Sequence, residues 1–248
     1  MFALNDEVIV GIPARRGSTR LANKMLADLC GAPVIVRTWQ RVREAGFERV
    51  FVATDDEEIA SVVRAAGGQA LMTGEAANGT ARIAQAFAES RTKIVLNVQG
   101  DEPLVAIETL HEVAGTLLDK TRPAVAIATA AAPLDPAEAE RPERVKVVTA
   151  LDGQALYFSR SAIPWGGPYR VHVGVYAFHR TALRLVASLD PSPIDEGERL
   201  EQLRWMAHRV GIRVVDVAAP APSVDTQADL DRVRAIFASQ HPSAVGMG

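Results

Sequence analysis

The feature that most constrains the fold is an alternation running through the first half of the chain. Short apolar runs rich in β-branched residues, several of them ending in polar residues, are separated by stretches with helical apolar spacing. "EVIVGIP" (7–13) reads as a buried strand, and "PVIVRTWQRVREAG" (33–46) as an amphipathic helix stopped by glycine. "RVFVATDD" is a second strand, "EEIASVVRAAG" a second helix, "QALMT" a short third strand and "GTARIAQAFAES" a third helix. "KIVLNVQGDEP" is the most apolar strand of the set. A parallel neighbour needs a crossover and the crossover helix covers the sheet, so this alternation predicts an α/β fold with a mostly parallel sheet flanked by helices.

After "LHEVAGTLLDK" the rhythm changes. "AVAIATAAAPL", "RVKVVTALDGQALYFSR" and "VHVGVYAFHR" read as strands with little helix between them, and "LDGQ" (151–154) suits a hairpin turn. The region from about 123 to 182 is therefore expected to extend the sheet and to add a smaller antiparallel lobe. Helix returns in "RLEQLRWMAHRVG", a strand in "IRVVDVA" and a last helix near "SVDTQADLDRVRAIF", while the tail from 239 to 248 is expected to be disordered. With 248 residues, 48% of them hydrophobic, the chain has material for one continuous domain with an excursion.

A formal charge of -3 gives no global field that would gather nucleic acid or an anionic membrane, so any anion site has to be local. Trp39, Trp165 and Trp205 are spaced too irregularly for a base-stacking platform. Cys30 stands alone, which leaves no intrachain disulfide and no cysteine-rich zinc site. The histidines form neither H-E-x-x-H nor an i, i+4 pair, and no G-x-S-x-G elbow is present. The start "MFALNDEVIV" lacks the look of a signal peptide, and no apolar run approaches the roughly 20 residues of a bilayer span, so a cytoplasmic location is expected.

Ligands of such sheets collect outside the carboxyl ends of the strands, which brings forward the polar loops at 14–24, 54–56 and 99–102. The first, "ARRGSTRLANK", has neither Walker A nor G-x-G-x-x-G spacing. Backbone N–H groups near Gly17 and Ser18, hydroxyls on Ser18 and Thr19, and charges on Arg15, Arg16, Arg20 and Lys24 would suit a polyphosphate, and a solvated basic loop would have the same composition. In "NVQGDEP", Asp101 fits either a ligand to a hard divalent cation or a turn and helix cap. Asp225, poised before the last helix, offers a second carboxylate or a second cap. His172, in an alternating strand, fits a partly buried structural histidine.

Taken together, "IPARRGSTRLANKML", "VFVATDD", "NVQGDEP", "VKVV", "ALYFSRSAIPW", "HVGVY", "LEQLR" and "VDTQADLDRVR", in that order, resemble the 3-deoxy-D-manno-octulosonate (Kdo) cytidylyltransferase, or CMP-Kdo synthetase, family, from about residue 7 to residue 237. The resemblance implies a nucleotide-diphospho-sugar-transferase-like fold in a single nucleotidyltransferase domain (1–248), with the lobe at about 123–182 serving acceptor binding and homodimerisation. It implies magnesium-dependent transfer of CMP from CTP to the anomeric hydroxyl of Kdo, with pyrophosphate released by direct displacement, as a step of lipopolysaccharide biosynthesis.

By the same resemblance, Arg15 and Lys24 hold the CTP phosphates and act with Asp101 in catalysis. Ala14, Gly17, Ser18, Asn78, Gly79, Thr80 and Arg82 complete the nucleotide site, and Gln99 stands where nucleotide meets sugar. Asp101 and Asp225 match the magnesium carboxylates. Arg160, His172, Tyr176, Glu201 and Gln202 match the acceptor pocket. Three departures limit what the resemblance says of the substrate. "TGEAANGTAR" lacks the arginine and histidine usual there, with Gly74 in the arginine's place; Met25 replaces a proline; and "GGPYRV" is about a dozen residues shorter than the family's segment. They leave open 8-amino-Kdo, a phosphonate, or a catalytically inactive nucleotide-binding regulator.

Overall fold

The computed structural model describes residues 6–17, 20–119, 121 and 125–240. Its first half follows the predicted alternation: β1 (Val8–Ala14), α1 (Val34–Glu44), β2 (Val50–Thr54), α2 (Glu57–Ala65), β3 (Gln69–Met72), α3 (Gly79–Ala86), β4 (Ile94–Asn97) and α4 (Ile107–Leu118). Every residue of β1 and β4 is buried, as befits apolar runs covered on both faces. Helix α2 starts at Asp56, whose carboxylate accepts the Ile59 N–H at 2.9 Å, so the last aspartate of "VATDD" is a cap.

The second half opens with four strands and no α-helix among them: β5 (Ile127–Pro133), β6 (Lys146–Thr149), β7 (Ala155–Ser159) and β8 (Arg170–His179). Three short helices follow, α5 (Arg180–Val186), α6 (Pro193–Glu198) and α7 (Glu201–Ala207), then β9 (Ile212–Asp216) and α8 (Gln227–Gln240). Helix α6 carries a capping box between Ser192 and Asp195, a start signal present in "SPID". Helix α8 takes in Ser239 and Gln240, two residues expected in the tail, and 241–248 lie outside the described residues.

The chain divides into two compact units. The first comprises the N-terminal segment through Ser90, Asn97–Ile107 and the segment from Ala221 onward; the second comprises Arg91–Leu96 and Glu108–Pro220. In the first, β1 pairs with β2 and β2 with β3, all parallel. Val224, Leu230, Val233 and Phe237 pack with Leu29 and Val34, which ties α8 to the start of α1. In the second, β5 runs parallel to β9 and antiparallel to β8, and β6 is antiparallel to β7 and β8. The result is a mixed α/β fold, a mostly parallel sheet with added antiparallel strands. No helix among the described residues is long and apolar enough to cross a membrane.

Candidate active site

A cleft of about 300 Å³ opens in the first unit. It is lined by Pro13, Ala14, Arg15, Gly17, Arg20, Lys24 and Met25 after β1, by Ala76 to Gly79 and Arg82 at α3, by Gln99 to Asp101 beyond β4, and by Asp225. Close backbone packing shapes it. A Cβ on Gly100 would stand 2.9 Å from the Pro13 carbonyl oxygen and 3.1 Å from Ile35 Cδ1, so only glycine lets this loop close against β1. The buried Thr38 hydroxyl then donates to the Gly100 carbonyl at 2.8 Å, pinning the loop to α1.

Lys24 is the electrostatic centre. Its Nζ donates to Asp101 Oδ2 at 2.5 Å and to Asp225 Oδ1 at 2.9 Å. Burial pulls this ammonium down, but the two carboxylates outweigh it and hold Lys24 above its ordinary value. The Val224 N–H donates to the Asp101 carbonyl at 2.9 Å, which delivers Asp225 to the cleft. Neither aspartate caps a helix: Thr226 and Asp229 take that role at α8. Glu102 is a further carboxyl that sequence reasoning left without a role. Burial first, then the charges of Asp101 and Asp225, push it up to about 8, and its Oε2 is buried without a partner. Next to two charged carboxylates it is therefore held as a neutral acid at pH 7.

Two carboxylate oxygens converging on one cationic point satisfy the elementary demand of a hard divalent cation. The described residues contain no gathering of three or more His, Cys, Asp or Glu ligands, so such an ion would take two protein carboxylates and complete its shell from substrate and water. The magnesium assignment of Asp101 and Asp225 fits that donor set.

The arginines divide by partner. Arg15 is exposed and, among the described residues, makes no ion pair, which leaves its guanidinium for an anion. Arg20 lies 3.4 Å from Asp225. Arg16 turns away to Glu58 at 2.8 Å and Asp56 at 3.4 Å. Arg82 is buried and spends its charge within the fold, donating to Thr73 Oγ1 at 2.6 Å and Asp55 Oδ2 at 2.7 Å. Asn78 lines the cleft while its side-chain oxygen caps α3 through the Ala81 N–H at 2.8 Å. Of the expected nucleotide residues, Ala14, Arg15, Gly17, Lys24, Asn78, Gly79, Arg82 and Gln99 line the cleft. Thr80 does not: it is buried, and with Ile83 one turn on it sits on the inward stripe of α3. Ser18 lies outside the described residues.

The expected acceptor residues other than Gln99 fall in the second unit. His172 and Tyr176 lie side by side on β8, ring centroids 5.3 Å apart, in an aromatic chain that runs on to Trp205 at 5.2 Å from Tyr176. Burial, with the Glu201 charge adding to it, pushes the Tyr176 phenol well above its usual range. Gln202, the next residue of α7, is buried. Arg160 is committed elsewhere: its guanidinium donates to the main-chain oxygens of Glu198 at 2.8 Å, Pro142 at 2.9 Å and Arg199 at 3.3 Å. Its geometry is that of a brace, and the sequence carries no signal of those carbonyl partners.

Burial pushes the His172 imidazole down to about 4, so it is neutral at physiological pH. The unfolded chain, with an ordinary histidine near 6.5, takes up the proton first. Stability from this group is therefore complete above about pH 6.5 and drains as pH falls toward 4, by at most about 3 kcal/mol. Urea unfolding at pH 7.5 and 4.5 should show a smaller acid loss in His172→Gln than in the parent; equal losses would refute the shift.

The fold and the cleft define a nucleotidyltransferase, and residues 9–212 match the model of the cytidylyltransferase family. A 3-deoxy-manno-octulosonate cytidylyltransferase of Anaeromyxobacter dehalogenans (strain 2CP-C) is 46% identical over 241 residues, covering 94% of this chain and 98% of its own. Its counterpart from Aliivibrio salmonicida (strain LFI1238) is 42% identical over 246 residues, covering 92% and 97%. A solved structure of CMP:2-keto-3-deoxy-manno-octonic acid synthetase complexed with CTP matches with a TM-score of 0.90 at 38% identity, covering 94% of this chain and 99% of that one. The chain belongs to the 3-deoxy-manno-octulosonate cytidylyltransferase (CMP-Kdo synthetase) family. A putative glucose-1-phosphate thymidylyltransferase from Bacillus anthracis in complex with a sucrose, 15% identical with a TM-score of 0.68 and covering 97% and 96%, shares the fold.

Proposed function

We propose that the protein transfers CMP from CTP to the anomeric hydroxyl of 3-deoxy-D-manno-octulosonate. The observation that carries the nucleotide half is the convergence of Asp101 and Asp225 on Lys24 in a cleft that Arg15 also lines. The acceptor half is supported by the relatives so named, which match over nearly the whole chain. Asp101 and Asp225 would hold magnesium, which when bound supplies charge neutralisation and polarisation of phosphate oxygens.

Among its described lining residues the cleft has no hydroxyl, thiol or imidazole, its one amine is kept protonated, and both aspartates are held on that amine. Direct displacement, with no covalent enzyme intermediate, belongs to the same reading. The sugar oxygen attacks the α-phosphorus, the bond to the bridging oxygen of the β-phosphate breaks, pyrophosphate leaves, and the hydroxyl proton passes to solvent. Arg15 and Lys24 supply positive charge to the departing pyrophosphate, and the rigid loop at Gly100 keeps Asp101 in place. A homodimer belongs to the same reading, supported by the apolar side chains of Leu156 and Trp165, 58% and 98% exposed.

A pyrophosphate-release screen tests it, pairing CTP, ATP, UTP and GTP with Kdo, 8-amino-Kdo, sialic acid, a phosphonate and sugar phosphates. Release is expected only with CTP, magnesium and Kdo together. Preference for 8-amino-Kdo or the phosphonate would replace the acceptor, and silence across the panel with CTP binding intact would make the protein a regulator.

A further inference from the structure

The buried end of His172 raises a proton-accounting question that has one good answer. Strand β8 bulges opposite β5: Thr129 pairs with Tyr176 and Ala130 with Val173, so Gly174 and Val175 have no partner across the ladder. The bulge brings two main-chain oxygens to one side chain. Thr129 Oγ1, on a fully buried residue, lies 2.8 Å from the Val175 carbonyl oxygen, 3.2 Å from that of Val173 and 3.0 Å from His172 Nε2.

A hydroxyl has one proton to give. Were it given to His172, the oxygen would face two carbonyl oxygens at hydrogen-bonding distance with nothing between them, a repulsive and buried arrangement. The proton therefore goes to a carbonyl, and the hydroxyl offers His172 only lone pairs. The imidazole must then donate from Nε2, and a neutral ring protonated at Nε2 has its lone pair on Nδ1. Phe158 edge-on at 5.2 Å and Tyr176 at 5.3 Å hold the ring plane but say nothing about its proton. Nδ1 has no partner among the described residues and is not one of the buried unpartnered atoms.

We propose that Thr129 is a positioning residue for acceptor recognition: its hydroxyl locks His172 as the Nε2–H tautomer, so that Nδ1 accepts a hydrogen bond from a hydroxyl of the sugar acid. The recognition half rests on the reading of His172 as an acceptor residue. One consequence is that His172 cannot hold the acceptor's carboxylate, since a lone pair does not bind an anion; it reads a hydroxyl.

Long-range proton–nitrogen NMR on the whole protein labelled with ¹⁵N-histidine resolves the tautomers of its five histidines, with His172 assigned from the signal missing in His172→Gln. The Nε2–H form is expected in the ligand-free parent and in Thr129→Ser, and its loss in Thr129→Val. Steady-state kinetics should then show the KM for Kdo rising about tenfold in Thr129→Val, the worth of one hydrogen bond, with the KM for CTP unchanged and Thr129→Ser near the parent. A proton on Nδ1 in the parent, or an unchanged tautomer in Thr129→Val, overturns the proposal. The parent spectrum decides the first point even if Thr129→Val fails to fold. A tautomer that shifts while the KM for Kdo stays put overturns the acceptor role of His172 and leaves the lock standing.

Discussion

Asp101→Asn and Asp225→Asn are each expected to lower the rate of CMP transfer by about 10²- to 10³-fold while leaving the protein folded. Each exchange keeps the side chain's volume and removes one of the two anionic oxygens that meet at Lys24. The fold survives because Lys24 retains the other carboxylate and because the loop is held by its backbone: Val224 N–H on the Asp101 carbonyl and Thr38 on Gly100. The loss is specific to charge, so magnesium affinity measured by calorimetry should fall with the rate. Near-parental transfer by either purified variant would remove these residues from the chemistry.

Lys24→Met is expected to cost a comparable factor in rate and, unlike the aspartate variants, to weaken the metal-free protein. Without the ammonium, Asp101 and Asp225 repel each other beside Glu102, whose carboxyl already sits at about 8 partly because of their charge. Breaking a buried pair costs about 3–5 kcal/mol. The Asp101 and Asp225 side chains are 20% and 34% exposed, so solvent screening reduces the expected loss to about 1–3 kcal/mol. Magnesium should restore the variant's melting temperature by more than it raises the parent's, because the parent's lysine already neutralises the site. A variant as stable as the parent in EDTA would contradict this account. The pH dependence that Lys24 contributes lies far from neutrality. Lys24 is raised above its unfolded value, so its contribution is complete below about 10.5 and disappears only as pH climbs through the higher folded value.

Much of the architecture was legible because it is written in neighbouring residues. The period of "PVIVRTWQRVREAG" is that of α1, the apolar block "KIVLN" contains β4, and "LDGQ" turns between β6 and β7 with Gly153 at a φ of 86°. The capping box at Ser192 and Asp195 was equally readable and marks a helix that strand-and-helix periodicity alone passes over. Candidate site residues were legible where chemistry clusters along the chain, as in "ARRGSTRLANK" and "NVQGDEP", although the residues alone left phosphate cradle and solvated loop, ligand and cap, as open alternatives.

What brings these side chains together is separated along the chain. Lys24 meets Asp101 across 77 residues and Asp225 across 201, brought together by α8 packing onto the start of α1. Arg82 and Arg15 look alike as letters, yet one is buried on Asp55 and the other left open. His172 meets, across 43 residues, a threonine hydroxyl that leaves it to donate from Nε2 and accept at Nδ1, at a bulge that no periodicity encodes. By itself the sequence determined the order and kind of the elements, apart from the short helices α5 and α6, and which loops could carry charge, because helical and strand periods depend on residues a few positions apart. Only the tertiary structure determined which charges face one another and which proton sits where. Hydrogen bonds and ion pairs act over a few ångströms in space, and only the closed core brings residues so far apart in the chain within that range.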